Sequence, residues 1–295
     1  MMTTDTGAAP DRASAPAHLR NPDIRILRRV RPLQSWPRTA GDQPVTKIAV
    51  LDTEATGLDP NRERIIDIAV AIIAVNKGGE IVAVETWSEA LNNPGMPIPP
   101  EITRLTGLRD EDVAHKRINP DKLAAFIGQA EWCLSHNAAF DCGFVEALCP
   151  GVGGMPWACS IKDGKWQEWG FDTARVLGYL LAQAGMFNEG SHRAMADVVS
   201  LVNLLAHQLD DGTTVIGRIL ERARKPSWRL EVTGTYPYKD DLWRRGWRWD
   251  PLQRHSWIEV QDEDLAAEEA WLKALVAPLQ RTPVVKQVTA HQRYR

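Results

Sequence analysis

Three short stretches of the chain place acids, and one histidine, where metal-assisted chemistry could occur. AVLDTEATGLDP, from Ala49 to Pro60, sets Asp52 and Glu54 two residues apart at the end of an apolar run. In a strand, residues i and i+2 project to the same face, so the two acids point together while Thr53 points away. Two anions on one face repel unless a cation joins them, and oxygen donors suit a hard divalent ion such as magnesium or manganese. A solvated strand end is the plainer explanation, because an Asp-x-Glu triplet arises by chance about once in a chain of ordinary acidic content. SHNAAFDCGFVEAL adds Asp141, about one turn inside a helix that Asn137 is placed to cap. An acid there also serves simply to complement the helix dipole, and His136 and Asn137 fit a plain turn. In NEGSHRAMADVVSLVNLL, His192 and Asp197 stand five apart. That spacing is roughly 140° around an ideal helix, so the two converge only if His192 sits on the loop before the helix proper. Asn188 or Ser191 can cap this helix, whose apolar face runs through Val198, Leu201, Val202 and Leu205. A lone histidine near a helix start is more often a surface or capping residue than a reactive one.

The elements that must position these groups follow from the hydrophobic period. KIAVLDT, RIIDIAVAIIAV and EIVAVETWS read as three strands, and the short turns between them predict an antiparallel meander. A Pro-rich loop (NNPGMPIPPEI), a helix near Pro120 to Ala130, the strand EWCLS, a helix from Ala138 and a candidate strand WACSI come next. Helices near Asp172 to Ala184 and His192 to Leu209 follow. Strands succeeded by strand and helix alternation predict an α/β fold, a mixed sheet with helices packed on it.

At 295 residues the chain exceeds the usual length of one domain, so one large domain plus an appendage is expected. Residues 1–45, rich in Ala, Pro, Thr and Arg, carry four acidic and seven basic residues without sustained periodicity, and read as a flexible arm. The 35 basic and 38 acidic residues leave a formal charge of −3, so a polyanion must be met by a local patch rather than by the global field. Four cysteines without a C-x-x-C fit reduced core thiols better than a disulfide framework or a zinc site, and the cytoplasm is the default compartment. No apolar run approaches the ~18 to 20 residues of a membrane span, and the start has no basic-then-apolar signal layout.

Beyond the catalytic candidates, residues 211–280 read as an accessory α+β module and 281–295 as a flexible tail. The module holds a basic helix (VIGRILERARK), a Trp/Arg-rich run through Glu259 and an acidic helix (DEDLAAEEAWLKALV). From Arg218 to Glu259 ten basic residues face six acidic ones, a local net charge of +4. Trp243, Trp247 and Trp249 with their arginine neighbours could form a stacking and phosphate-binding platform for single strands. A module of this size also needs large aromatics to make a core, which leaves Arg244, Arg245 and Arg248 as the candidate phosphate contacts.

The order DTEATGL, HNAAFD, HRAMAD resembles the three motifs of the DnaQ-like DEDDh 3′-to-5′ exonucleases, with all five signature residues present. The resemblance spans residues 46–210, since RIIDIAVAII is similar to the family's second strand and PEITRLTGLRDEDV to its I-x-x-L-T-G-I segment. It implies a ribonuclease-H-like fold, a mixed five-stranded sheet flanked by helices. It further implies that Asp52, Glu54, Asp141 and Asp197 hold two magnesium or manganese ions, and that His192 is the general base. Thr53, Thr56, Gly57, Leu58, Asn137 and Phe140 are then candidates for the pocket of the terminal nucleotide. Phe140 equally suits ordinary helix core. The function expected is hydrolysis of DNA from single-stranded or frayed 3′ ends, with a replication or repair protein as partner and no membrane. The alternatives are the same chemistry on RNA or short oligoribonucleotides, and a non-catalytic scaffold on a decayed nuclease fold.

Overall fold

The computed structural model describes residues 24–190 and 192–295. Residues 1–23, half of the expected arm, and Ser191 lie outside the described residues. A short strand β1 (Arg28–Arg29) precedes three long ones, β2 (Val45–Ala55), β3 (Ile65–Asn76) and β4 (Ile81–Leu91), which run antiparallel as expected, although only the β3–β4 connection is a short turn. The Pro-rich connection holds α1 (Pro100–Thr106) and α2 (Asp110–Val113). Pro100 opens α1 where its missing N–H costs nothing, and Gly107 closes it at φ 75°. α3 (Pro120–Ile127) leads to β5 (Trp132–Ser135), α4 (Ala138–Leu148) and β6 (Trp157–Cys159). α5 (Leu177–Gln183), β7 (Met186–Phe187), α6 (Ala194–Leu205) and α7 (Val215–Ala223) complete the larger unit.

Its five-stranded sheet is ordered β4-β3-β2-β5-β6, with β5 parallel to β2 and β6 parallel to β5, so the expected mixed sheet is present. β2 is buried on both faces. Ile48 and Val50 join α6 in one core, while Ala49 and Leu51 join α4 in the other. Strand alternation extends these directions to the end of β2, so Asp52 and Glu54 emerge on the α6 face and Thr53 on the α4 face.

The helix expected over Asp172 to Ala184 begins only at Leu177. The carbonyl of Arg175 is held by His136 Nε2 at 2.7 Å and the N–H of Asp172 donates to Gln183 Oε1 at 2.6 Å, so this segment satisfies its backbone outside a helix.

The arm and the tail depart from the sequence expectation. β1 pairs in parallel with β7, and Val30 and Leu33 are buried in the core, so two apolar anchors in a low-complexity stretch tie residues 28–33 to the sheet's helices. In the C-terminal unit, β8 (Ser227–Thr233), α8 (Lys239–Arg244), β9 (Arg248–Asp250), β10 (His255–Gln261), α9 (Asp262–Val276) and β11 (Val284–Val288) build a sheet ordered β11-β8-β10-β9. One face packs on α9 through Leu230, Val232, Leu272 and Val276. Thus 281–295, expected as a flexible tail, supplies an edge strand instead. The residues after it return to the larger unit. Arg293, 1% exposed, donates Nε to Ser227 Oγ (3.0 Å) and Nη1 to the Ala223 carbonyl (3.2 Å), with Asp163 3.6 Å away. The Ala290 carbonyl accepts the Trp157 N–H at 3.1 Å, on the outer edge of β6. A polar segment reads as a tail because its partners, β8 and the buried carboxylate of Asp163, are distant in sequence.

The four cysteines are buried and unpaired, and among the described residues no helix is long and apolar enough to cross a membrane.

Candidate active site

The end of β2 and the start of α6 bring the first and third stretches together. α6 begins at Ala194, which leaves His192 on the preceding turn, the condition under which His192 and Asp197 can converge. Ligating atoms of Glu54, His192 and Asp197 lie within 4.8 Å of one another. His192 adopts φ 65°, a left-handed conformation uncommon outside glycine, and its N–H donates to Asp197 Oδ2 at 2.9 Å. One turn therefore fixes both the carboxylate and the imidazole backbone. Asp141, in the first turn of α4, is buried and accepts a 2.7 Å hydrogen bond from Thr53 Oγ1. Thr53 thus locks the second stretch to the first from the opposite face of β2.

Burial and mutual repulsion govern the charge state. Asp52 is raised well above the usual carboxylate range by burial, then by Asp141, Asp197 and Glu54. Glu54 is pushed up to about 8, first by burial and then by Asp197, Asp67 and Asp141. Asp141 rises to about 6 through burial, opposed by the Thr53 hydroxyl, and burial also raises Asp197 against the His192 N–H. Among the described residues no lysine or arginine side chain hydrogen-bonds or pairs with any of these four acids. A partly buried all-oxygen cluster with no cationic side chain bonded to it fits a hard divalent ion.

A carboxyl raised by folding keeps its proton where the unfolded chain has lost it, so the folded state binds more protons and stability falls as pH rises. For Glu54 that window runs from its ordinary 4.5 to about 8. Metal-free protein is expected to melt several degrees lower at the upper end of this window than at the lower end, at ~2 to 4 °C per kcal/mol for a chain of this size. Magnesium or manganese should recover the loss, and more so at alkaline pH, where the ligands are already ionised. Thermal melts with and without chelator check this. A melting temperature independent of pH in chelator would argue against a repelling cluster.

Asp67 is a residue that sequence reasoning passed over. It faces Glu54 across β2 and β3, is buried, and its Oδ2 accepts from Arg193 Nε (2.9 Å) and from the Ala194 N–H (3.3 Å). α6 is therefore capped from across the sheet. Arg193, at the cap position, makes no side-chain capping bond, and Asn188 instead donates to Ala196 O and Ser200 Oγ. The signal was an acid inside an otherwise apolar strand, which needs a partner somewhere. Asp67→Asn is expected to cost about 1 to 2 kcal/mol, the worth of a lost cap, measured as a shift in the denaturation midpoint.

The substrate candidates divide. Thr53 and Thr56 are buried, and Thr56 Oγ1 donates to Glu63 Oε2 at 2.6 Å. A Cβ at Gly57 would lie 2.9 Å from the Glu63 side chain, which would have to shift to admit it. Leu58, 86% exposed, is fully available to a ligand. Asn137 occupies the cap position of α4 but its side chain makes no capping bond. Phe140 packs on Phe144, ring centroids 4.8 Å apart, and joins the α4 core. His136 is a structural turn residue, with Nδ1 2.6 Å from Ser160 Oγ, and burial lowers its pKa.

In the C-terminal unit two of the three candidate arginines are engaged. Arg244 pairs with Asp241 at 2.9 Å. Arg245 pairs with Glu268 at 2.8 Å and stacks 4.5 Å over Trp271. Trp247 is core, donating to the same Glu268, whereas Trp243 and Trp249 are exposed. Only Arg248 of the three turns toward the larger unit, over Trp257.

A protein-family sequence model described as Exonuclease (RNase T) matches residues 49–205. The PolC-type DNA polymerase III of Thermotoga maritima is 34% identical over 110 residues, 37% of this chain and 8% of that protein. The Bacillus subtilis PolC-type enzyme is 35% identical over 102 residues, 33% of this chain and 6% of its own length. The chain thus spans less than a tenth of these curated relatives. Among solved structures, exonuclease X in complex with 5′-overhanging duplex DNA aligns over 58% of this chain and 99% of its own, at 23% identity and a TM-score of 0.41. A zinc-bound E. coli exonuclease I complex with single-stranded DNA aligns over 65% and 49%, at 15% identity and a TM-score of 0.48.

Proposed function

Because the chain belongs to the exonuclease family, whose model covers more than half of it, we propose that it hydrolyses DNA stepwise from single-stranded or frayed 3′ ends, releasing nucleoside monophosphates. The observation that carries this reading is the convergence of Glu54, Asp197 and His192 beside the half-buried Asp52 and the buried Asp141. Asp52, Glu54, Asp141 and Asp197 would hold two magnesium or manganese ions. When bound, such ions lower the pKa of a water and offset the charge that builds on the phosphoryl oxygens. Every other task falls to side chains. His192 is exposed at the rim of the cluster, where a ring nitrogen can take the proton of the attacking water. Thr53 fixes the Asp141 carboxylate, and Asp67 with Arg193 fixes the turn that carries His192. Leu58 offers an apolar face to the terminal base, and the Gly57 backbone can approach the nucleotide.

The curated relatives are DNA polymerases, which supports DNA over RNA and a setting beside replication or repair proteins. Digestion of matched 5′-labelled single-stranded DNA and RNA, with magnesium, manganese or chelator, tests the reading. A ladder shortening from the 3′ end of DNA and lost in chelator is expected. Preference for RNA would make the enzyme an exoribonuclease, and absence of metal-dependent cleavage of either polymer would leave a binding scaffold.

A further inference from the structure

A cleft of about 1060 Å³ separates the larger unit from the C-terminal sheet. One wall is the face of that sheet turned away from α9. Alternation sends Leu230 and Val232 into the module's core and puts Arg229 on the other face, where cross-strand pairing sets Lys286 beside Arg229 and Arg248 beside Trp257. The opposite wall is the irregular segment after β6, with Lys162 and Arg175. Trp257 is the centre of the sheet wall, its ring approached by the guanidinium of Arg229 at 4.1 Å and of Arg248 at 5.5 Å. Arg229 and Lys286 share Glu231, at 3.0 and 2.6 Å. Among the described residues no carboxylate pairs with Lys162, Arg175 or Arg248. The lining includes the exposed Ala139 in the first turn of α4, the turn that also carries Asp141, and Arg175 is tied by its carbonyl to His136 at the entry to α4.

We infer that this cleft is the channel for the single-stranded polynucleotide whose 3′ end lies at the acid cluster, with Lys162, Arg175 and Arg248 on successive phosphates and Trp257 beneath a base. The inference rests on the exonuclease reading and adds to it the path of the strand. Unpaired cations meet a backbone that carries one negative charge per nucleotide, and an aromatic flanked by arginines is the sequence-tolerant stacking surface that single strands use. A lining that reaches the first turn of α4, where Asp141 also sits, distinguishes this face from the exposed Trp243 and Trp249, which lie outside the cleft. A strand held here is gripped upstream of the scissile bond, so the module governs affinity for long substrates rather than the chemistry at the terminus.

The experiment compares the full chain with a Lys162→Gln, Arg248→Gln double variant. Neither position has a carboxylate partner, and an unchanged melting temperature shows that the fold survives the loss of Arg248 from the Trp257 ring. Binding of a labelled strand of about 16 nucleotides is followed by anisotropy across salt in chelator, and kcat/KM is measured for that strand and for a dinucleotide with magnesium. Loss of two phosphate contacts makes the slope of log K against log salt shallower by roughly 1.4, at about 0.7 per contact. The kcat/KM ratio of strand to dinucleotide should fall with it. An unchanged slope and ratio, with hydrolysis intact, overturns the channel and leaves the exonuclease standing. A shallower slope in a protein whose wild type hydrolyses neither substrate supports the channel and sinks the exonuclease reading.

Discussion

Asp52→Asn is expected to slow terminal hydrolysis by on the order of a thousandfold while making the metal-free protein more stable. The two effects share one cause. Asp52 is half-buried beside four other acids that oppose its ionisation, so its charge is costly to the fold and is retained for what it binds. The amide keeps the shape but removes a full negative charge from the cation site. Metal assistance contributes several kcal/mol to such reactions, and each ~1.4 kcal/mol is tenfold in rate. In chelator at alkaline pH the variant should melt above the wild type, because one repelling carboxylate has gone. Single-turnover digestion and paired melts in chelator and in magnesium read both effects. A variant that loses activity and also melts lower in chelator would show that Asp52 serves the fold rather than the cation site.

His192→Asn is expected to lower kcat by about 10² to 10⁴, the usual worth of a general base. Asparagine is chosen because position 192 sits at φ 65°, a conformation that asparagine tolerates better than most residues. The backbone N–H that donates to Asp197 is retained, so the substitution isolates the imidazole. Added imidazole should restore part of the rate. Because His192 also lies within 4.8 Å of the Glu54 and Asp197 ligating atoms, metal affinity must be titrated in the same variant. Unchanged affinity with a lost rate assigns it the role of base. A loss of affinity matching the loss of rate would make it a ligand.

The sheet and its acids were legible because they rest on local periods. The alternation in KIAVLDTEA fixes the face of Asp52 and Glu54 whatever surrounds it, whereas the place of His192 stayed conditional, because the helix expected near His192 to Leu209 begins only at Ala194. What escaped depends on partners far away in sequence. The cap of α6 comes from Asp67, 127 positions earlier. Residues 281–295 look like a polar tail until β8 offers an edge and Asp163 faces Arg293. The tryptophans of the module carry the same lesson. Composition brought Trp243, Trp247 and Trp249 forward, yet Trp247 is core and it is Trp257, on the inner face of β10, that meets Arg248. Only strand pairing tells these apart.

The bond from the Trp157 N–H to the Ala290 carbonyl bears on how the molecule behaves at high concentration. β6 ends the five-stranded sheet, and an uncovered end strand is a template on which a second molecule can add its own. With the chain's own residues laid along that border, the protein occupies the position a neighbour would take. The segment that fastens the two units is thus also a guard against self-association, so a cut before Ala290 would first be felt as clouding of a concentrated solution.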